Sequence, residues 1–114
     1  MSSCLFCDIA AGDVPCTQIA ANDEFMAFRD IAPQAPVHIL VIPRRHITGL
    51  TALEPADTEL VGRLVIFAKE LAVAEGLAGN GYRFVINCGD EGGQTVDHLH
   101  LHVLGGRPMA WPPG

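Results

Sequence analysis

Three histidines at alternate positions, His98, His100 and His102, constrain this chain more than any other feature. The residues between and after them, Leu99, Leu101, Val103 and Leu104, are all apolar. In a β-strand successive side chains point to opposite faces. The segment Asp97 to Leu104 therefore reads as a strand that buries a leucine/valine face and presents three imidazoles on the other. Three polar rings in a row are poor core filling, because each needs a partner if buried. Imidazole works near neutral pH as a general base, a nucleophile or a metal ligand. Same-face residues lie about 7 Å apart by Cα, twice the rise per residue. His100 can then meet a phosphorus while a neighbouring histidine reaches a non-bridging oxygen. Spacing alone leaves this catalytic use and a His-x-His zinc site equally open.

The bulk numbers narrow the setting. With 114 residues, 49% hydrophobic and 18% charged, the composition is globular, and one domain over residues 1–114 with a tail over 105–114 is expected. So apolar a small domain points to self-association. The formal net charge of −6 argues against a nucleic-acid platform, whose affinity rests on Lys and Arg neutralising phosphates. One small phosphorylated ligand remains open, since backbone N–H groups and a few imidazoles can hold a phosphate. Apolar runs such as Val37 to Pro43 are too short for a membrane span. Met1-Ser2-Ser3-Cys4 lacks a basic stretch followed by an apolar run, so no signal peptide is read and a cytoplasmic location is expected. In that setting Cys4, Cys7, Cys16 and Cys88 are read as free or metal-bound thiols.

Local patterns predict the elements. Ser3 to Ala11 reads as a short helix capped by Ser2 or Ser3 and ended by Gly12. Cys16 to Ala21 and Phe25 to Arg29 read as strands joined at Asn22-Asp23, with a proline-rich loop over Ile31 to Pro36 and a strand over His38 to Ile42. Leu60, Val61, Leu64, Val65, Ala68, Leu71 and Ala72 recur at helical spacing, which predicts a long helix from Pro55 to Glu75 with Gly76 as its C-cap. Tyr82 to Asn87 reads as a strand and Cys88 to Gln94 as a glycine-rich loop, with Gly89 to Thr95 having the make-up of a backbone anion cradle. The fold class expected is α+β with a mainly antiparallel sheet.

The segment His98-Leu99-His100-Leu101-His102-Val103-Leu104 resembles the histidine-triad (HIT) signature, and Gly105-Gly106-Arg107 through Trp111-Pro112-Pro113-Gly114 resembles the C-terminus of that superfamily's Hint branch. Cys4-Leu5-Phe6-Cys7, Phe28 to His38, Val41 to His46 and Gly92-Gly93-Gln94-Thr95 match in the family's order, so the resemblance covers nearly the whole chain. It implies a five-stranded antiparallel sheet with one long and one short helix, continued across a homodimer to ten strands. It also implies a hydrolase that cleaves the P–N bond of purine nucleoside phosphoramidates through a nucleotidyl-histidine intermediate. His100 matches the family's nucleophile, His102 its donor to phosphate oxygens and His38 its fourth histidine. Asn87 and the main chain at Gly93 and Thr95 match phosphate-binding positions and Gln94 a nucleotide-binding one, while Thr95, standing where the family usually has serine, also matches a catalytic position. Asp30 and Ile31 match the ribose-binding pair, Phe6, Ile9 and Phe28 the base pocket, and Trp111 the leaving-group pocket. On pattern alone Asp30 is a turn cap, and the three apolar residues are core.

Cys4, Cys7, His46 and His98 match a zinc-binding set found in some members, which implies a closed, structural Cys2His2 site and no catalytic metal. Two free thiols and an ordinary loop histidine are the alternative. Other enzymatic readings on related folds are a dinucleoside polyphosphate hydrolase or a nucleotidyl transferase. A nucleotide-binding interaction protein is the non-enzymatic one.

Overall fold

The described residues of the computed structural model are 3–114. Helix α1 (Leu5–Ala10) leads into the hairpin of β1 (Gln18–Ala21) and β2 (Phe25–Arg29), followed by β3 (Val37–Pro43). A long helix α2 (Thr58–Ala74), strand β4 (Tyr82–Val85), a four-residue helix α3 (Gly89–Gly92) and strand β5 (Leu101–Gly105) complete the order. The strands form one sheet in the order β1-β2-β3-β5-β4, antiparallel at every pairing. The expected five-stranded antiparallel sheet with a long and a short helix is therefore present.

Each element follows from local chemistry. The β1–β2 turn closes on Asn22, whose Oδ1 accepts from the main-chain N–H groups of Glu24 and Phe25 at 2.9 and 2.7 Å. Helix α2 begins later than its apolar period suggests. Pro55–Asp57 forms a 3-10 turn with a reciprocal capping box between Glu54 and Asp57, and α2 starts at Thr58. Its C-cap is Glu75, and Gly76 follows at φ +79°, where glycine carries no Cβ penalty. The cap of α1 is Cys4, whose Sγ accepts from Cys7 N; Ser3 lies outside the helix, and Ser2 lies outside the described residues. β1 starts two residues later than expected and β4 ends two residues earlier.

The largest departure concerns the histidine segment. Only His102 lies within β5; His98 and His100 precede it. The register pairs Val41 with Leu101 and would bring Pro43 opposite Leu99. Proline has no N–H to extend a ladder, and its carbonyl is occupied by the His98 ring at 2.8 Å. Leu99 N instead donates to Ile47 O at 2.6 Å.

The sheet is covered on both sides. Phe25, Ala27, Ile39, Val41, Leu99, Leu101 and Val103 pack beneath Leu60, Leu64, Ala68, Leu71 and Ala72 of α2. Met26, Phe28, Leu40 and Ile42 face the other way and meet Phe6 and Ile9 of α1. His98 and His100 are buried on that second side, where α1 roofs much of the imidazole face. Leu64 is fully buried at the centre of α2. Leu64→Ala is expected to cost about 2–5 kcal/mol, read as a lower urea midpoint with an unchanged slope.

Candidate active site

The second side of the sheet gathers the chemistry-bearing side chains because they share one strand parity. His38 precedes Leu40 and Ile42 on that face of β3, and Leu40 is paired with His102 of β5. Above them α1 brings Phe6 edge-on to the His100 ring, with centroids 5.0 Å apart at 88°. A cleft of about 240 Å³ opens here. Its walls are Leu5, Phe6 and Ile9 of α1, Pro15 and Cys16, Phe28 to Ile31, Leu40, Thr95 and Val96, with His100 and His102 lining it as well. A larger groove of about 860 Å³ runs along α2 past Val65, Ile66 and Phe67, but it contains no imidazole or thiol.

Hydrogen bonds assign the ring protons. His100 Nδ1 lies 2.6 Å from the carbonyl oxygen of His98, so the neutral ring donates there and leaves the Nε2 lone pair free. His38 Nδ1 accepts from the main-chain N–H of Gln34 at 3.0 Å. Its proton therefore sits on Nε2, 2.9 Å from His102 Nδ1 and 3.4 Å from Asp30 Oδ2. His102 Nδ1 is thus an acceptor and its Nε2 a donor. That Nε2 is buried and finds no hydrogen-bond partner among the described residues. An unmatched buried donor costs about 1–3 kcal/mol, and it marks where an acceptor belongs. Burial, reinforced by the neighbouring His100 and His38 rings, pushes His102 down to about 4. Burial also lowers His38, against the opposing pull of Asp30. Asp30, His38 and His102 form a possible metal-binding group. With the proton on His38 Nε2, however, that nitrogen donates and does not ligate.

Several expected site residues sit elsewhere. Asp30 is the turn cap that its pattern allowed, Oδ1 accepting from Ala32 N at 2.8 Å, and the residue also lines the cleft. Ile31 is fully exposed at the cleft rim. The glycine-rich loop is not an open anion cradle, because residues 89–92 are helical and close on themselves. Gly93 N donates to Asp90 O and Gln94 N to Gly89 O. The Gln94 side chain is spent as well, accepting from Gly89 N and donating to Thr48 O and Val96 O. Asn87, Gly93 and Gln94 do not line the cleft, nor does Trp111, which is 82% exposed. Cys16, Leu40 and Gln34 were missed as site residues. Leu40 shares the strand parity of His38, whereas nothing in sequence spacing marks Cys16 or Gln34.

A second cluster lies at the far end of α1. The Sγ atoms of Cys4 and Cys7 and the Nδ1 atoms of His46 and His98 all lie within 4.8 Å of one another. Cys4 Sγ to His98 Nδ1 is 3.3 Å, Cys7 Sγ to His46 Nδ1 3.3 Å, and the two Nδ1 atoms are 3.2 Å apart. Ligands about 2.0–2.3 Å from one tetrahedral zinc would be spaced at roughly 3.3–3.8 Å, so the donors fit such an ion. His98 Nε2 donates to Pro43 O at 2.8 Å, which leaves Nδ1 with the lone pair that ligation requires. Burial and Cys4 together push the Cys7 thiol up to about 11, a cost that a bound cation would reverse.

A HIT domain model matches residues 11–109. An uncharacterised HIT-like protein of Synechocystis is 48% identical over 110 residues, covering 96% of both chains. The crystal structure of a HIT family hydrolase from Legionella pneumophila superposes with a TM-score of 0.97 at 52% identity, covering 98% of this chain and 100% of that one. A histidine triad nucleotide-binding protein from Candida albicans gives a TM-score of 0.82 at 29% identity, covering 96% and 83%. A zinc-bound histidine triad family protein from Mycobacterium smegmatis gives 0.81 at 36% identity, covering 92% and 76%. The chain belongs to the HIT family.

Within this HIT domain the triad histidines face different ways: His98 toward the thiols, His100 and His102 toward the cleft. Among the described residues no helix is long and apolar enough to cross a membrane. The low value at His102 has a consequence for stability. The unfolded ring titrates near 6.5 and the folded ring near 4, so the unfolded state binds more protons between them. The stability due to His102 is complete above about pH 6.5 and is lost as pH falls toward 4. Urea unfolding across that window is expected to show a shallower pH dependence in His102→Gln than in the parent.

Proposed function

We propose that this HIT protein is a nucleotide hydrolase that cleaves the P–N bond of purine nucleoside 5′-phosphoramidates. The observation that carries this reading is the pairing of a bare His100 Nε2 with an orphaned His102 Nε2–H at one apolar cleft. A neutral imidazole is a good nucleophile at pH 7 and a serviceable leaving group afterwards. In the first step His100 Nε2 bonds to the α-phosphorus, the P–N bond breaks, and the nitrogen takes a proton from solvent water as the amine departs, a proton returned to solvent when water attacks in the second step. In the second, water attacks the phosphorus, the His100–phosphorus bond breaks, and nucleoside monophosphate leaves. Positive charge on the His100 ring in the intermediate is met by the His98 carbonyl through Nδ1–H. His102 Nε2–H donates to a phosphate oxygen as charge develops there.

The remaining assignments rest on placement and resemblance together. Asp30 and Ile31 at the rim suit the ribose, and Phe6, Ile9 and Phe28 suit a purine ring. Thr95 offers a hydroxyl at the phosphate end, and the Gln94 side chain ties the preceding loop to Gly89, Thr48 and Val96. A second copy joined in a ten-stranded sheet would bring the tail carrying Trp111 toward the amine pocket. Cys4, Cys7, His46 and His98 would hold zinc as a structural tie between α1 and the histidine segment. A closed four-ligand site leaves the chemistry to the imidazoles.

His100→Ala is expected to lower turnover of an adenosine phosphoramidate by about 10³-fold or more while AMP binding persists. Acid-free quench and mass spectrometry should find the nucleotidyl adduct on His100 of the parent. Parent-like turnover in His100→Ala would defeat the reading, and faster cleavage of diadenosine polyphosphates would shift it to that branch. Metal analysis is expected to give one zinc per chain. Cys7→Ser should lose it and lower Tm by roughly 10 °C, the scale of about 2 kcal/mol in a chain this size.

A further inference from the structure

The β2–β3 loop contributes a main-chain group that the histidine chemistry depends on. Without the Gln34 N–H at His38 Nδ1, only the longer approach of Asp30 Oδ2 to Nε2, at 3.4 Å, would favour a proton there, and Nδ1 could carry it as well. With the proton on Nδ1, His38 Nε2 would accept, His102 would donate from Nδ1, and the His102 Nε2–H facing the cleft would vanish. The orientation of residue 34 therefore decides which nitrogen of His102 bears hydrogen.

Residue 34 is held from its carbonyl side by one guanidinium. Arg107 Nε and Nη2 both donate to Gln34 O, at 3.1 and 2.8 Å. Its Nη1 donates to Pro108 O at 2.9 Å, so among the described residues the group grips carbonyls and no carboxylate. The approach requires the glycine just before it. Gly106 has φ +89°, and a Cβ there would lie 2.9 Å from Pro36 Cβ. The Gln34 side chain adds a bond to Ala32 O at 2.9 Å, and Ala32 N in turn donates to Asp30 Oδ1. The chain of contacts thus runs Arg107, Gln34, His38, His102.

We propose that Arg107 is a positioning residue that fixes the His102 donor through Gln34 and His38, an inference that rests on the phosphoryl chemistry proposed for the same site. A role limited to anchoring the C-terminal tail is the competing account, and Arg83 separates the two. Arg83 Nη2 also ties down the tail, at Ala110 O, 2.9 Å away, and it does not touch Gln34.

The test uses the ligand-free, ¹⁵N-labelled protein at about pH 7.5, where neutral rings predominate, and reads ring nitrogens by long-range ¹H–¹⁵N spectra. The parent should show His102 protonated at Nε2 and bare at Nδ1. Arg107→Ala is expected to average the His38 and His102 nitrogens between tautomers. It should also lower kcat on an adenosine phosphoramidate by about tenfold, the loss of roughly one oriented hydrogen bond, with KM changed less than about twofold. Arg107→Lys, which guards against a folding defect, should move the same signals by less. Arg83→Ala should leave the ring nitrogens as in the parent. Parent-like ring nitrogens in both Arg107 variants, or an equal change in Arg83→Ala, would overturn the proposal. A parent inert toward phosphoramidates would defeat the proposed activity, while the ring-nitrogen comparison would still decide the role of Arg107.

Discussion

An imidazole has two nitrogens, and this fold commits one of each critical pair to the backbone. His100 gives Nδ1 to the His98 carbonyl, His98 gives Nε2 to the Pro43 carbonyl, and His38 takes the Gln34 N–H on Nδ1. Each commitment determines what the other nitrogen is. His100 is left with a lone pair, His98 with a lone pair among thiols, and His38 with a proton to hand to His102. Three chemically identical side chains are thereby left with a bare nitrogen at the cleft, a bare nitrogen among thiols and an N–H directed at a neighbouring ring. Removing a backbone partner would cost little in packing, yet the roles would blur.

Those placements depend on how β5 begins. A ladder running from His98 would have spent the same carbonyls and N–H groups on strand pairing. Pro43 on the neighbouring strand ends the ladder at Leu101, which frees the His98 carbonyl for His100 and the Pro43 carbonyl for His98. The leucines still enter the core beneath α2, so the segment stays anchored while its polar groups turn to chemistry.

Helix α1 links the two clusters. Cys4 and Cys7 sit at its start among His46 and His98, and Phe6 and Ile9 of the same helix wall the cleft. With only six residues, α1 is far below the length at which a helix persists alone in water. Its position comes from apolar contact with the sheet and from the thiol–imidazole cluster, so an ion held there would also set the shape of the cleft.

Much of this was legible in sequence. Alternation specified the imidazole and leucine faces, the 3.6-residue period specified α2, and the Asn22 turn specified the first hairpin. The cysteine and histidine set was readable through resemblance, and four donor atoms do converge. Spacing could not reveal that His98 and His100 lie before the strand, because a proline on a different strand ends the pairing. Nor could composition show that the glycine-rich loop would coil into a helical turn and spend its own N–H groups. Residue types and their period are local properties, so the chain by itself determined which elements form and which chemistries are available. Ring protonation depends on partners such as Gln34 and Arg107, distant in sequence from His102 or on another element. Only the tertiary structure could decide that, because a hydrogen bond is made by position in space.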